Sequence, residues 1–186
     1  MPILAREPDV FPADLLESPP AARDPERNWL VAYTISRREK ELARRLLACG
    51  LPFFLPQREQ QFRSPSGRRQ KAFLPMFPGY VFVLAEPGER ELILKTNCIS
   101  QLLNVTDPDE LEFDLRQIFQ LTRAGTTLTL EPKLEPGTRV RIVSGAFQGF
   151  EGTVLKRQAG DRLLVMVRYV QQGVSFSLEG FQVEPL

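Results

Sequence analysis

The side chains in this chain with the clearest capacity to bind a ligand are lysines and arginines, which are concentrated in one stretch. Between Arg37 and Lys71 there are ten Lys or Arg residues against three Asp or Glu residues. From Pro75 to Pro136 the balance reverses, with five basic and ten acidic residues. Because arginine and lysine pair with phosphate groups, the basic stretch favours a nucleic-acid partner. Scattered, solvated surface charge is the alternative, since the net charge of the whole chain is only +1.

Metal-dependent and nucleophilic chemistry is disfavoured by the residue types present. The chain has two cysteines, Cys49 and Cys98, and no histidine. A structural zinc site takes about four ligands from Cys, His and carboxylates, so we expect none. The commonest general base is missing, and no carboxylates pair in a recognisable motif. The sequence therefore predicts a binding protein without metal or cofactor, not an enzyme, with both thiols buried and free.

The N-terminal segment and the hydropathy indicate a cytoplasmic protein. Residues 1–27 are acidic and hold five prolines after Pro2, which predicts a flexible tail. They lack the basic and apolar regions of a secretory signal. No apolar stretch approaches the roughly 18 residues that span a bilayer. We expect a cytoplasmic monomer without membrane contact.

Hydrophobic patterning predicts the elements that position the basic residues. The predicted order is strand 29–35, helix 37–49, strand 53–62, basic hairpin tip 63–71, strand 80–84, helix 88–95, strand 99–104 and helix 109–123. Ser36 is expected to cap the first helix together with Glu39, and Gly50 to end it. The strand after the Pro78-Gly79 turn carries apolar side chains on both faces, which predicts either a central strand covered twice or one apolar face left for a partner. This alternation indicates an α+β domain, an antiparallel sheet with packed helices.

The C-terminal segment has a different pattern, with three glycines between two alternating apolar runs. Gly145, Gly149 and Gly152 predict a strand, a tight turn and a second strand. Five short strands are predicted near 138–143, 150–156, 163–169, 173–178 and 181–184. Together with Glu135-Pro136-Gly137, this pattern resembles a KOW motif, which implies a small five-stranded, SH3-like β-barrel.

Four segments together resemble the NusG family of transcription factors. They are Trp29-Leu30-Val31-Ala32-Tyr33, Glu39-Lys40, Phe77-Pro78-Gly79-Tyr80-Val81-Phe82-Val83 and the KOW segment. The resemblance covers residues 28–186, and the short basic hairpin with the 99–103 strand looks closer to specialised paralogs such as RfaH. It implies an NGN-like domain at 28–124, a linker at 125–136 and a KOW domain at 137–186.

The resemblance implies a transcription elongation and antitermination factor that binds bacterial RNA polymerase. In the family, an aromatic and aliphatic pocket on the sheet holds the clamp helices of the β′ subunit. The positions here that match this pocket are Tyr33, Phe77, Tyr80, Phe82, Leu102 and Leu103. For any one of these side chains, a place in the domain core is the alternative.

The resemblance also implies two further sets of contacts. Upstream or non-template DNA would lie beside the basic residues Arg37, Arg38, Lys40, Arg44, Arg68, Arg69 and Lys71. The KOW domain would recruit a small-subunit ribosomal protein or the factor Rho at Tyr169, Val170 and Gln172. Housekeeping members have an aromatic and a basic residue where this chain has Val170 and Gln172, which disfavours Rho and favours antitermination.

A ribosome-associated KOW protein that binds ribosomal RNA is the alternative function. Such proteins usually carry a large positive excess, because their RNA affinity comes mostly from phosphate neutralisation. Residues 137–186 hold only six basic and four acidic side chains. The charge balance therefore favours the transcription factor.

Overall fold

The computed structural model of the chain describes residues 7–17, 24–63, 67, 69–131, 137–156 and 160–186. The chain divides into two compact units, Met1–Asp109 and Glu110–Leu186. The boundary predicted at residue 124 lies one helix further along the chain than this division. In the helix between the two positions, Asp114 and Gln117 form hydrogen bonds with Arg168 and Glu151 of the C-terminal unit, and the sequence pattern does not reveal such contacts.

The first unit is built on a five-stranded antiparallel sheet. Its elements are β1 (Val10–Phe11), β2 (Asn28–Thr34), α1 (Glu39–Ala48), β3 (Phe53–Phe54), β4 (Gln57–Arg63), β5 (Arg69–Pro75), β6 (Tyr80–Ala85), α2 (Arg90–Leu94) and β7 (Ile99–Asn104). The strand order is β1-β3-β6-β2-β7, and β4 and β5 form a separate two-stranded hairpin. Strand β6 is therefore central, which explains its apolar side chains on both faces. Sheet and helices together make the mixed architecture that the patterning predicts.

Helix α1 covers one face of this sheet. Its stripe of Leu42, Ala43 and Leu46 packs into one buried cluster with alternate residues of β2 and β6. Each fully buried leucine of this kind contributes about 1.5–3 kcal/mol. Cys98 is buried in the same cluster, as predicted, but Cys49 is exposed, so that prediction is wrong. The reason is that α1 ends at Ala48, which leaves Cys49 at the cap beyond the buried stripe.

The start of α1 also differs from the prediction. Arg38 takes the N-cap position without a side-chain hydrogen bond to the helix, so the predicted capping box of Ser36 and Glu39 is wrong. Arg37 adopts a left-handed conformation with φ of 61°, which turns the chain between β2 and the helix. The Glu39 carboxylate instead accepts a hydrogen bond of 2.7 Å from the Gly79 N–H group. Glu39 is buried, and it ties the helix to the turn before β6.

Two segments differ from their predictions, one predicted to be a single strand and the other predicted to be flexible. The predicted strand 53–62 divides into β3 and β4 around Pro56, which has no N–H group to donate to a ladder. Residues 7–17, predicted to be flexible, instead pair through β1 with β3 and bury Leu16 to 2% exposure. The Pro-rich, acidic composition of the segment does not indicate that its few apolar residues complete the edge of the sheet. The rest of the predicted tail up to residue 23 lies outside the described residues.

The second unit combines a helix with a six-stranded antiparallel sheet. Its elements are α3 (Pro108–Arg123), β8 (Thr129–Glu131), β9 (Arg139–Ile142), β10 (Glu151–Leu155), β11 (Arg162–Val167), β12 (Gln172–Ser177) and β13 (Val183–Pro185). The strand order is β13-β9-β10-β11-β12-β8. Five of these strands match the predicted ones, whereas β8 arises inside the predicted linker by pairing with β12.

Close strand packing explains one glycine of the predicted turn region. A Cβ atom at Gly152 would lie 2.4 Å from the carbonyl oxygen of Leu164 in the neighbouring strand. That distance is far below a van der Waals contact, so β10 can approach β11 only with glycine at this position. No helix within the described ranges is long and apolar enough to cross a membrane.

Candidate functional site

The sheet face opposite helix α1 carries a cluster of aromatic side chains. The β2–β6 register sets Tyr33 opposite Tyr80 and Val31 opposite Phe82. The two tyrosine ring centroids are 5.2 Å apart. Phe54 of β3 lies opposite Phe82, and the Phe77 ring contacts Phe82 edge-on at 6.2 Å. We call this cluster the aromatic face and define it as Tyr33, Phe54, Phe77, Tyr80 and Phe82.

The members of the aromatic face differ in accessibility. Phe54, Phe77 and Phe82 are each exposed by 1% or less. Tyr33 is 40% exposed, and Tyr80 is half-buried. The two tyrosines can therefore touch a partner, while the three phenylalanines pack within the protein. An exposed aromatic pair held on a central strand pair is a rigid contact surface.

The turn before β6 holds the Tyr33 ring in place. Gly79 has φ of 86°, and its carbonyl oxygen accepts a 2.8 Å hydrogen bond from the Thr34 N–H group. A Cβ atom at Gly79 would lie 3.1 Å from Cε2 of Tyr33. Glycine is needed here both for the left-handed backbone and for the space beside the ring. The Glu39 hydrogen bond fixes the same turn from the side of α1.

Strand β7 separates the two leucines predicted for the pocket. Leu103 lies opposite Val31 and so belongs to the side of the aromatic face. Leu102 lies opposite Ala32 and packs against the buried cluster under α1. The structure thus brings Tyr33, Phe77, Tyr80, Phe82 and Leu103 to one side of the sheet and leaves Leu102 on the other.

Phe54 belongs to the aromatic face but was missed by the sequence analysis. The Phe53-Phe54 doublet was the available signal, yet a two-residue strand has no periodicity that assigns each ring to a face. Only the pairing of Phe54 with Phe82 makes that assignment. Phe53 lies in the buried cluster on the side of α1.

The basic residues at and before α1 differ in their partners. Arg37 and Arg38 are exposed and form no ion pair with an acidic side chain among the residues the structure describes. Lys40 is half-buried. Arg44 has two partners, Glu7 at 2.9 Å and Glu41 at 2.7 Å. Arg44 is therefore already neutralised within the protein.

Glu41 is shared between two arginines of its own helix. It lies 2.8 Å from Arg45 and 2.7 Å from Arg44. Hydrogen bonds from Arg45 and then Arg44 hold the pKa of the Glu41 carboxyl below its ordinary value. The exposed side of α1 is consequently less cationic than its arginine content indicates.

The hairpin β4–β5 carries the other basic residues. Its register sets Arg63 opposite Arg69, both exposed. Like charges in directly opposed positions destabilise a hairpin, and an anion bound between them would relieve the repulsion. Lys71 forms an ion pair with Glu59 at 2.9 Å, and that hydrogen bond lowers the pKa of Glu59. Arg68 lies outside the described residues.

The predicted C-terminal contact residues lie around one short turn. Tyr169 and Val170 belong to a 3-10 turn, Arg168–Val170, and Gln172 begins β12. Val170 is 8% exposed, whereas Tyr169 and Gln172 are half-buried. The structure brings the three residues together, with Tyr169 and Gln172 the more accessible ones.

Asp114 of helix α3 anchors this turn. Its carboxylate accepts hydrogen bonds from the Arg168 backbone N–H at 2.9 Å and from Arg168 Nη2 at 2.7 Å. Burial raises the pKa of the Asp114 carboxyl, and the Arg168 hydrogen bonds oppose that effect. A second carboxylate of the helix, Glu110, lies 2.8 Å from Arg168 Nη1. These contacts place α3 with the C-terminal sheet.

The accessible features of the first unit are thus the tyrosine pair on the sheet and the cationic hairpin β4–β5. Within the described residues, no group of His, Cys, Asp or Glu is placed to hold a metal ion. The chain belongs to the NusG family, because the family profile described as "Transcription termination factor nusG" matches residues 27–120. Members of this family are transcription factors of termination and antitermination, not enzymes.

A curated relative matches nearly the whole chain. The transcription termination/antitermination protein NusG of Pseudomonas aeruginosa is 26% identical over 173 residues, which cover 85% of this chain and 98% of the relative. Among solved structures, the "Crystal Structure of MjSpt4:Spt5 complex conformation B" contains a chain that is 19% identical, with coverage of 85% of this chain and 97% of that one. The TM-score of that match is 0.25.

Proposed function

We propose that the chain is an elongation and antitermination factor, a specialised RfaH-like member of its family, that binds the clamp helices of the RNA polymerase β′ subunit. The observation that carries the proposal is the exposed Tyr33–Tyr80 pair, 5.2 Å apart, on the face opposite α1. Rigid aromatic side chains lose little conformational freedom on binding, and such anchors contribute about 2 kcal/mol each. The buried phenylalanines of the aromatic face support the tyrosines by packing.

The cationic residues support a DNA contact by the same unit. Arg37 and Arg38 before α1, and Arg63 with Arg69 on the hairpin, are exposed and have no acidic partner within the described part of the chain. Unpaired cations gain most from phosphate, since each contact releases a counterion. We propose that these residues lie against upstream or non-template DNA and help keep the polymerase on its template.

The C-terminal sheet would serve as the KOW domain and recruit a second partner. Tyr169 and Gln172 are the accessible members of the predicted contact set, and Val170 packs inside. We favour a small-subunit ribosomal protein over Rho as that partner, because Val170 and Gln172 replace the aromatic and basic residues of housekeeping members. Titration of the full chain with each purified candidate tests this preference.

Tyr33→Ala tests the aromatic face. We expect its affinity for purified bacterial RNA polymerase to fall about 10- to 30-fold, as for loss of one strong anchor. Phe113→Ala is the matched control, since Phe113 is a similarly exposed aromatic residue, 38% against 40%, in the second unit. Thermal unfolding checks that both variants remain folded. Equal affinities of the two variants would refute the assignment.

The direction of regulation has its own readout. Transcription in vitro through an intrinsic terminator and a pause site should show more read-through and shorter pauses with the wild-type chain. Tyr33→Ala should lose that effect at concentrations where the wild type acts. Longer pauses or more termination with the wild type would overturn the antitermination part of the proposal and leave polymerase binding intact.

A further inference from the structure

We infer that Glu7 occupies a phosphate-binding position on helix α1, so that the N-terminal segment and a nucleic acid compete for Arg44. The inference rests on the DNA contact proposed above and adds a carboxylate of the chain itself as the competitor. Two observations carry it: the path of residues 7–17 along the sheet edge, and the double pairing of Arg44.

The N-terminal segment is fastened along the edge of the sheet in the first unit. Strand β1 pairs with β3, and the Leu55 N–H group donates a 2.6 Å hydrogen bond to the Asp9 carbonyl oxygen. The Gln57 side-chain amide donates to the Glu7 carbonyl oxygen at 3.1 Å. The Phe11 ring stacks near Phe53 with centroids 6.5 Å apart. Backbone bonds and packing therefore deliver the Glu7 carboxylate to α1.

Arg44 has a second carboxylate partner besides Glu7. Glu41, one turn earlier on the same helix, already pairs with Arg44 at 2.7 Å. Glu7 adds a second carboxylate on Nη1 at 2.9 Å. The Arg44 side chain remains 45% exposed, so it is open to solvent and to a ligand as well. Arg44 lies on helix α1, and the exposed Arg37 and Arg38 directly precede that helix.

A carboxylate and a phosphate present the same kind of acceptor oxygen to a guanidinium group. When the nucleic acid approaches, one of its phosphates can replace the Glu7 carboxylate on Arg44. The tethered carboxylate competes without diffusing away, as the second site of a linked ligand does. Glu7 thereby weakens binding to any polyanion. It favours release of DNA that is bound only through nonspecific electrostatic contacts.

The test measures binding of the full chain to a fluorescein-labelled 20-base-pair DNA duplex by fluorescence anisotropy at several KCl concentrations. Glu7→Gln removes the charge and keeps the backbone hydrogen bonds of the segment. We expect it to bind about two- to fivefold more tightly, the range for an exposed ion pair. The slope of log K against log[KCl] should stay close to the wild-type slope, because Arg44 contacts one phosphate in both complexes.

Two controls isolate the Glu7–Arg44 pair. Glu17→Gln changes the net charge equally at the far end of the segment and should leave both quantities close to wild type. In an Arg44→Gln background, Glu7→Gln should lose its gain. Equal affinities for Glu7→Gln and Glu17→Gln, or a gain that persists without Arg44, would overturn the inference.

The same titration separates this inference from the proposed DNA contact. If Arg69→Gln weakens wild-type binding while Glu7→Gln changes nothing, the DNA contact stands and the competition by Glu7 is refuted. If neither the wild type nor any variant binds the duplex, both the DNA contact and the inference fail.

Discussion

Replacing Asp114 by alanine should destabilise the protein far more than replacing Glu110 by alanine. Both carboxylates lie on helix α3, and both pair with Arg168. They differ in burial, because the Asp114 side chain is 3% exposed and that of Glu110 is 43% exposed. Asp114 also accepts the Arg168 backbone N–H, which Glu110 does not. The pair of variants therefore compares a buried anchor with an exposed one on the same arginine.

The expected magnitudes follow from these environments. Removing one partner of a buried ion pair costs about 3–5 kcal/mol. Arg168 is 40% exposed and keeps its ion pair with Glu110 in Asp114→Ala. We therefore expect this variant to lose about 2–3 kcal/mol of unfolding free energy. An exposed pair contributes about 0.2–1 kcal/mol, which sets the expectation for Glu110→Ala.

Urea unfolding of the full chain, followed by far-ultraviolet circular dichroism, measures both variants. The single tryptophan, Trp29, lies in the first unit, so its fluorescence reports on that unit separately. We expect the dichroism midpoint to fall clearly in Asp114→Ala and only slightly in Glu110→Ala. Free energies within about 0.5 kcal/mol of each other would refute the reasoning that Asp114 anchors the turn.

Three further changes probe the turn before β6, the C-terminal sheet and the buried carboxyl. Gly79→Ala should lower the free energy of unfolding by about 1–2 kcal/mol, because alanine is strained in the left-handed backbone conformation; thermal unfolding measures this loss. The added methyl group should also displace the Tyr33 ring and weaken polymerase binding, which titration measures. Gly152→Ala forces a Cβ atom to within 2.4 Å of a carbonyl oxygen in the next strand; a loss of about 1–3 kcal/mol in urea unfolding is expected, and no loss would contradict the packing. Burial raises the pKa of the Asp114 carboxyl, so the folded state binds its proton more tightly than the unfolded state does. The stabilisation that this proton contributes is therefore present at low pH and is lost as the pH rises through the raised pKa. Carbon-13 NMR of the carboxyl should follow this titration, and Arg168→Leu should move the pKa higher still.

Much of the fold could be predicted from local patterning. The alternating apolar residues give β2, β6 and the C-terminal strands to within about two residues, and Ile99–Asn104 has the predicted bounds. Helix α3, Pro108–Arg123, also appears where its 3.6-residue period indicates. These elements are long enough for their apolar residues to form a recognisable pattern.

The remaining features depend on contacts between residues distant in sequence. Strand β1 has two residues and no period, and its partner β3 is more than forty residues away along the chain. Leu102 and Leu103 are consecutive in β7 and therefore lie on opposite faces, but the β2–β7 register decides that Leu103 is the one on the side of the aromatic face. Arg44 is predicted to contact DNA, and its pairing with Glu7 is not foreseen because Glu7 lies in a segment expected to be flexible. The anchoring contact of Asp114 likewise depends on Arg168, which lies in the turn after β11 and 54 residues further along the chain.

Binding of the full chain to purified bacterial RNA polymerase, with and without the clamp helices of the β′ subunit, tests the central proposal most directly. We expect tight binding to the intact polymerase and its loss when the clamp helices are deleted. The Tyr33→Ala chain should bind intact polymerase about 10- to 30-fold more weakly than the wild type does. Wild-type binding that survives the deletion, or no binding to intact polymerase at micromolar concentrations, would contradict the role of the aromatic face.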